Sequence, residues 1–349
     1  MEKAVSVGTI RIQTNGKAYE KTRKGWKLSK RKFPEMQQVI QLFKANHHFH
    51  DLIDTKNPVF LKGQLSKEGN VQGARITILP NGEVLDKAYS LFAKNLTIHD
   101  EATHDHWDII YQNPNGKYAY LYTLKKRQKS IQKKYNHVEE FGKIVGTLEK
   151  NILAALHRKN DSEALSLYTL IKTYMRVGNT IYYKANGHQG LTTLKKEDIT
   201  IIKNSVTFSY PGKDGVPLQL TETFPDIYIK RMREVLMPIK KNSFIFVKNN
   251  KQPYRDSDLK SAFKKFCGIA FYPHIVRSYY ATITVQKFLR DHTKATKQEI
   301  AALFTAIAQK LGHKKYVKKD HAWIDSYTTT IHHYVQPDLV EKVERLVQR

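Results

Sequence analysis

The spacing of apolar residues divides the chain into regions of different period. From Glu139 onward, Phe141, Ile144, Val145, Leu148, Ile152, Leu153 and Leu156 recur at steps of three and four, which places them on one face of a helix. A second apolar stripe over Ser162 to Met175 predicts another helix, and Pro225 to Leu236, Asp256 to Phe266 and Glu299 to Leu311 predict three more. Gly312 stands just past the last of these, in the place of a C-cap. Between the helices, Val206-Thr-Phe-Ser-Tyr210 reads as a strand and Pro211-Gly-Lys-Asp-Gly215 as its turn, so a β-hairpin is predicted over 206–220. Residues 58–123 follow a two-residue period instead. The runs Ala74 to Leu79 and Tyr118 to Tyr122 are separated by Asn81-Gly82 and Asn115-Gly116, and Asn-Gly is the strongest short hairpin signal. The first part of the chain is the least periodic: a basic stretch from Lys17 to Lys32 containing Trp26, then a short helix-like run from Met36 to Phe43. The predicted architecture is α+β. It has a basic N-terminal extension over 1–57, a small β-rich domain over 58–135, and a mainly α-helical domain with a β-hairpin sheet over 136–349.

Composition narrows the partners. The chain has 349 residues, a net charge of +27 and 40% hydrophobic residues, enough apolar material for two cores and a field that concentrates polyanions. Nucleic acid is the leading partner, with an anionic membrane surface second. No stretch has the roughly 18 consecutive apolar residues of a membrane-spanning helix, and the N-terminus lacks the apolar segment of a signal peptide. Cys267 is the only cysteine, which excludes an internal disulfide framework and a cysteine-cluster metal site. These features lead us to expect an intracellular protein of the cytoplasm or nucleoid, with a viral origin equally compatible.

The basic residues are not evenly spread. Lys125, Lys126, Arg127, Lys129, Lys133 and Lys134 follow one another with no acidic residue between them and end at Tyr135. This run at the domain boundary is read as a phosphate-contacting segment. His47, His48 and His50, and His99, His104 and His106 beside Asp100, Glu101 and Asp105, lack a zinc-type spacing with a full ligand set and are read as surface histidines. No metal or other cofactor is expected.

Five positions carry the candidate chemistry. Arg176, in Tyr174-Met-Arg-Val-Gly178, is placed at the end of an apolar helix, and Lys213 occupies the turn of the predicted hairpin. His274 and Arg277, three apart at the start of a helix, share a face. His313 follows the Gly312 cap. Cations on separate elements suit a single anion held among them.

In this order, Arg176 with Gly190-Leu-Thr-Thr-Leu194, Lys213 in Pro-Gly-Lys-Asp-Gly, His274-Ile-Val-Arg277 and Leu311-Gly-His313 followed by tyrosines resemble the signature of the tyrosine recombinase and type IB topoisomerase superfamily. The surrounding residues are similar in particular to the short DNA topoisomerases IB of poxviruses and bacteria. The resemblance runs from about Gly116 to the C-terminus. It implies a DNA breaking-rejoining fold, with the β-rich domain binding DNA and the helical domain catalytic. A tyrosine would attack one strand of duplex DNA, store the bond as a 3′-phosphotyrosyl ester, and allow rejoining without ATP or metal. Arg176, Arg277, His313 and His274 would contact the phosphate. Lys213 would protonate the leaving 5′-oxygen.

The nucleophile departs from the family pattern. The tyrosine usually lies about nine residues after the histidine, where this chain has Ala322 and Trp323. A lysine-rich insertion from Lys314 to Asp325, expected to be a loop, accounts for the shift. Of Tyr316, Tyr327 and Tyr334, the last lies in Tyr-Val-Gln-Pro337, which resembles the family's Tyr-Val-x-Pro segment, and is preferred; Tyr327 is the alternative. The resemblance implies a topoisomerase acting on duplex DNA as a monomer that clamps around it. A site-specific recombinase working in a synaptic tetramer, or a DNA-binding protein without catalysis, are the other readings.

Overall fold

A computed structural model describes residues 5–73, 76–99, 106–158 and 161–347. The chain forms two compact units, Met1–Lys133 and Lys134–Arg349.

In the first unit, β1 (Ile10–Ile12), β2 (Ala18–Thr22), β3 (Gly25–Leu28), β4 (Gln64–Leu65) and β5 (Val71–Gln72) form an antiparallel sheet in the order β3-β2-β1-β4-β5. The pair β6 (Ile76–Ile78) and β7 (Val84–Tyr89), and the sheet β10-β9-β8 made from β8 (Lys94–Ile98), β9 (Ile109–Gln112) and β10 (Tyr118–Leu121), complete the strands described there. Both Asn-Gly pairs lie in turns between paired strands, with Gly82 and Gly116 at φ 82° and 79°, the left-handed region that glycine enters without cost. The first two residues of the run predicted at Ala74, and His104 with Asp100, Glu101 and Asp105, lie outside the described residues.

The expectation for residues 1–57 is corrected. Ile10 and Ile12 of β1 and Met36, Val39, Ile40 and Phe43 of α1 (Pro34–Ala45) are buried in the same core as Leu61, Leu85, Ile109 and Leu121. The basic stretch around Trp26 is the β2–β3 hairpin, and Trp26 packs on Phe60 at 4.6 Å between ring centroids. Lysines on an exposed strand face mask the two-residue period, because their alkyl stems and charged ends are equally at home there.

The second unit is mainly helical. The unit boundary falls within α2 (Leu124–Leu156), so the helix starts fifteen residues before its apolar periodicity does and the basic run forms its first turns. α3 (Ser162–Thr173) is buried along nearly its whole length. Two of its threonine hydroxyls bond back along the helix, Thr169 Oγ1 donating to Leu165 O at 2.8 Å and Thr173 Oγ1 to Thr169 O at 2.7 Å. After α4 (Thr180–Asn186), the strands β11 (Ile199–Ile202), β12 (Ser205–Pro211) and β13 (Pro217–Thr223) make an antiparallel sheet in chain order. α5 (Asp226–Leu236), α6 (Asp256–Cys267), α7 (Ile275–Asp291) and α8 (Lys297–Lys310) follow. Next come a two-stranded ribbon of β14 (Lys314–Val317) and β15 (Ala322–Asp325), α9 (Thr328–His333) and α10 (Pro337–Arg345). Ala281, Val285, Phe304, Ile307, Val335 and Val343 join α7, α8 and the C-terminal helices in one core. A β-rich first unit and a helical second unit carrying a hairpin sheet make this an α+β protein.

Candidate active site

The segment after α3 is built by close backbone approach. α3 stops at Thr173, Tyr174 turns left-handed at φ 55°, and Arg176 stands beyond the helix rather than at its end. Leu191 N–H donates to Arg176 O at 2.8 Å and Thr192 N–H to Val177 O at 2.7 Å, fastening Arg176-Val-Gly178 to Gly190-Leu-Thr192. The glycines make this contact possible. A Cβ on Gly190 would lie 2.6 Å from both Arg176 O and Gly178 N, and Gly178 itself has φ 88°. The sequence motif is therefore the imprint of two strands of backbone touching beside the arginine.

Lys213 is exposed at the turn between β12 and β13. This turn meets the end of α8 through one side chain, because Leu218 of β13 fills the space that a Cβ on Gly212 or Gly312 would occupy, at 2.6 and 2.7 Å. At that same end, His313 N–H donates to Ala308 O at 2.8 Å and Gly312 N–H to Gln309 O at 3.0 Å. This is the paired bonding of a Schellman cap, and Gly312 supplies its left-handed residue at φ 66°. Leu-Gly-His is thus a helix stop that aims the histidine.

His313 and Arg277 meet in the interior. Arg277, 1% exposed, donates to the carbonyls of Tyr174 and Leu311 and contacts His313 Nε2 at 3.0 Å. A guanidinium only donates, so Nε2 accepts and the neutral ring carries its proton on Nδ1, 2.8 Å from Thr330 Oγ1. Burial, reinforced by Arg277 and Arg176, pushes His313 down to about 3. His274, at the start of α7, is likewise pushed down to about 3 by burial and then by Arg277, Arg176, Lys134 and Lys213. Both rings are neutral at pH 7. Burial also lowers Arg277 from the usual guanidinium range, an effect that Tyr334 opposes.

Met175, Arg176, Tyr210, Lys213, Arg277 and His313 line a cleft of about 150 Å³. Tyr334, 3% exposed, lies behind this wall. Its ring centroid is 4.8 Å from that of His313, 5.1 Å from that of His274 and 5.1 Å from the Arg277 guanidinium carbon. Two groups of α2 hold its backbone neighbours: Tyr135 Oη donates to Val335 O and Lys134 Nζ to His333 O, both at 2.5 Å. Tyr327, 37% exposed, packs its ring 6.1 Å from Phe304 instead.

These cations and the tyrosine come from five separate elements. The model of the eukaryotic DNA topoisomerase I catalytic core matches residues 123–340. The chain belongs to this family. DNA topoisomerase 1B of Acanthamoeba polyphaga mimivirus is 24% identical over 235 residues, covering 62% of this chain and 69% of the relative. Two solved structures of the XerH site-specific recombinase on difH substrates, before and after cleavage, are each 16% identical with TM-scores of 0.33 and 0.32. They match 48% and 52% of this chain and 46% and 49% of theirs, so the chain spans about half the length of the recombinase chains. As a topoisomerase I family member the chain is an enzyme of the DNA breaking and rejoining type.

In this family member the expected basic segment divides by exposure. Lys125, Arg127, Lys129 and Lys133 are exposed on the first turns of α2. Lys126 is paired with Asp108 at 2.6 Å, and Tyr135 is buried on Val335, so neither matches the solvent-facing phosphate contact expected of it. The loop expected over Lys314 to Asp325 is instead the β14–β15 ribbon, with Tyr316 opposite Trp323. Sequence reasoning missed Thr330, buried against His313, because Thr328, Thr329 and Thr330 are alike in sequence and only burial distinguishes the third. It also missed Glu222, ion-paired to Lys310 at the cleft edge. In the first unit, ligand atoms of His48, His50 and Asp51 lie within 4.8 Å of one another; these are the three described metal-type groups that cluster, and the first two are partly or fully exposed.

Proposed function

We propose that the chain relaxes supercoiled duplex DNA by nicking one strand, letting the free end swivel and rejoining it, with Tyr334 as the nucleophile. The observation that carries the assignment is the contact of the Tyr334 ring with Arg277, His313 and His274, against the exposed setting of Tyr327. Tyr334 Oη, its proton given up to solvent, forms a bond to the phosphorus, the bond to the 5′-oxygen breaks, and Lys213 supplies that oxygen's proton from the hairpin turn. Rejoining runs the same steps backward: the 5′-hydroxyl attacks, the tyrosine leaves and the proton returns to Lys213. Arg176, Arg277 and His313 stabilise the charge on the non-bridging oxygens, where preorganised donors in a water-poor site are worth most; His274 adds a further donor. The reaction requires Tyr334 to turn from behind the Arg277 wall into the cleft when DNA occupies it. Lys125, Arg127, Lys129 and Lys133 contact phosphates outside the cleft, and the protein works as a monomer closed around the duplex.

Supercoiled plasmid lacking any dedicated site, incubated with EDTA and without ATP, is the test. The protein should relax it, and denaturing gels should show a covalent adduct. Tyr334→Phe should lose both while binding DNA with unchanged affinity, and Tyr327→Phe should retain both. Relaxation by Tyr334→Phe, or its loss in Tyr327→Phe alone, moves the nucleophile. An adduct that forms only on one specific sequence, in a multimeric complex, supports recombination instead.

A further inference from the structure

The β14–β15 ribbon stands next to the site, and nothing above uses it. It begins at the residue after His313, and Lys314 lines the cleft. Twelve residues, Lys314 to Asp325, pair as Lys314 with Asp325, Lys315 with Ile324, Tyr316 with Trp323 and Val317 with Ala322. Its base is anchored: Gln309 Nε2 of α8 donates to Asp325 Oδ2 at 2.7 Å, and Ser326 N–H to His313 O at 3.2 Å. Beyond the base the ribbon is open. Lys315, Tyr316, Lys318, Lys319, Ala322 and Ile324 are all exposed, and the ribbon's sheet holds only its two strands. An isolated two-stranded ribbon is marginal in water, so an element this exposed gains from an occupant.

The charge and shape point to which one. The ribbon carries four lysines against two aspartates, in a chain of net charge +27. The aromatic pair Tyr316 and Trp323, with ring centroids 5.3 Å apart, stiffens it across the strands. A two-stranded ribbon is one of the two protein shapes that fit the major groove of B-DNA. We propose that the ribbon is a DNA-contacting arm that lies along the duplex next to the phosphate held at His313, with Lys315, Lys318 and Lys319 on phosphates and the Tyr316–Trp323 pair against the groove. The inference rests on the cleft being where DNA is cut. It adds a contact that the histidine-to-tyrosine insertion of this chain creates, and it ties the arm to the catalytic histidine through the β14 backbone.

The experiment measures binding separately from cutting. In the Tyr334→Phe background, affinity for a 30-base-pair duplex is followed against salt for the chain with its ribbon intact and for Lys315→Gln/Lys318→Gln/Lys319→Gln. Loss of three phosphate contacts should make the slope of log Kd against log salt shallower by roughly 2.7, at about 0.9 per contact. Trp323→Ala, which removes no charge, should weaken binding about fivefold or more with the slope unchanged, in line with more than about 1 kcal/mol for a truncated aromatic anchor at an interface. Circular dichroism melts check that each variant is folded. An unchanged slope and affinity in the folded triple variant overturn the proposal. If the unsubstituted chain binds duplex with the expected salt slope but never forms an adduct, the strand-cutting reading fails and the arm is still tested.

Discussion

At the scale of single residues, the site depends on which nitrogen of His313 holds the proton. Arg277 forces Nε2 to accept, so the proton faces Thr330 Oγ1. To donate to a phosphate oxygen from Nε2, the ring must change tautomer, and a hydroxyl permits this because it can turn from acceptor to donor. Thr330 is therefore a positioning residue that acts through His313. Thr330→Val keeps the shape and removes the hydroxyl, and we expect it to slow single-turnover cleavage about ten- to a hundredfold, the equivalent of about 1–3 kcal/mol for a buried group left unpaired. Thr330→Ser should recover most of the rate. A Val variant that cuts at the normal rate, with a shifted melting temperature only, would make Thr330 purely structural.

At the scale of elements, glycines set the precision with which Arg176 is held. A Cβ at Gly190 meets backbone atoms of Arg176 and Gly178, not a flexible side-chain end, so the two segments must part. Gly190→Ala should lower stability by about 1–3 kcal/mol, as overpacking does, and should lower cleavage through displaced Arg176. Gly146, exposed in α2 with nothing within 4 Å of an added Cβ, is the matched control. Gly146→Ala should leave stability equal or raise it by up to about 1 kcal/mol. Urea unfolding followed by circular dichroism compares the two; equal effects would mean that the close approach does not matter. The helices, the hairpin and the cap at Gly312 were legible because local spacing and turn chemistry specify them. The ribbon was not, since its lysines blur the two-residue alternation. The N-terminal strands and the first turns of α2 were hidden in the same way, by basic residues that suit either an arm or an exposed face.

At the scale of the molecule, two neutral histidines in a cationic site link stability to pH. His274 and His313 sit near 3 in the folded chain, against about 6.5 when unfolded. Between those values the unfolded chain binds more protons. Stability is therefore fully present above pH 6.5 and falls as the pH is lowered toward 3, by up to about 1.4 kcal/mol per pH unit for each histidine. Urea midpoints at pH 7.5, 5.5 and 4.5 should fall in that order, and His274→Gln/His313→Gln should flatten the trend. An equally steep trend in the double variant would assign the effect to other groups. Among the described residues no helix is long and apolar enough to cross a membrane.

The ordered motifs around Arg176, Lys213, His274, Arg277 and His313 carried the resemblance to the family, because each lies in a short segment that is legible along the chain. Only the tertiary structure decided which tyrosine lies with them. Tyr327 and Tyr334 are seven residues apart on either side of one short helix, and along the chain only the Tyr-Val-Gln-Pro337 context favours the second. Burial separates them: Tyr334 packs on groups from α7 and the end of α8 while α2 holds its neighbours by Lys134 and Tyr135. Contacts between residues two hundred positions apart follow from how the helices close into one core, a property of the whole unit that periodicity along the chain does not carry.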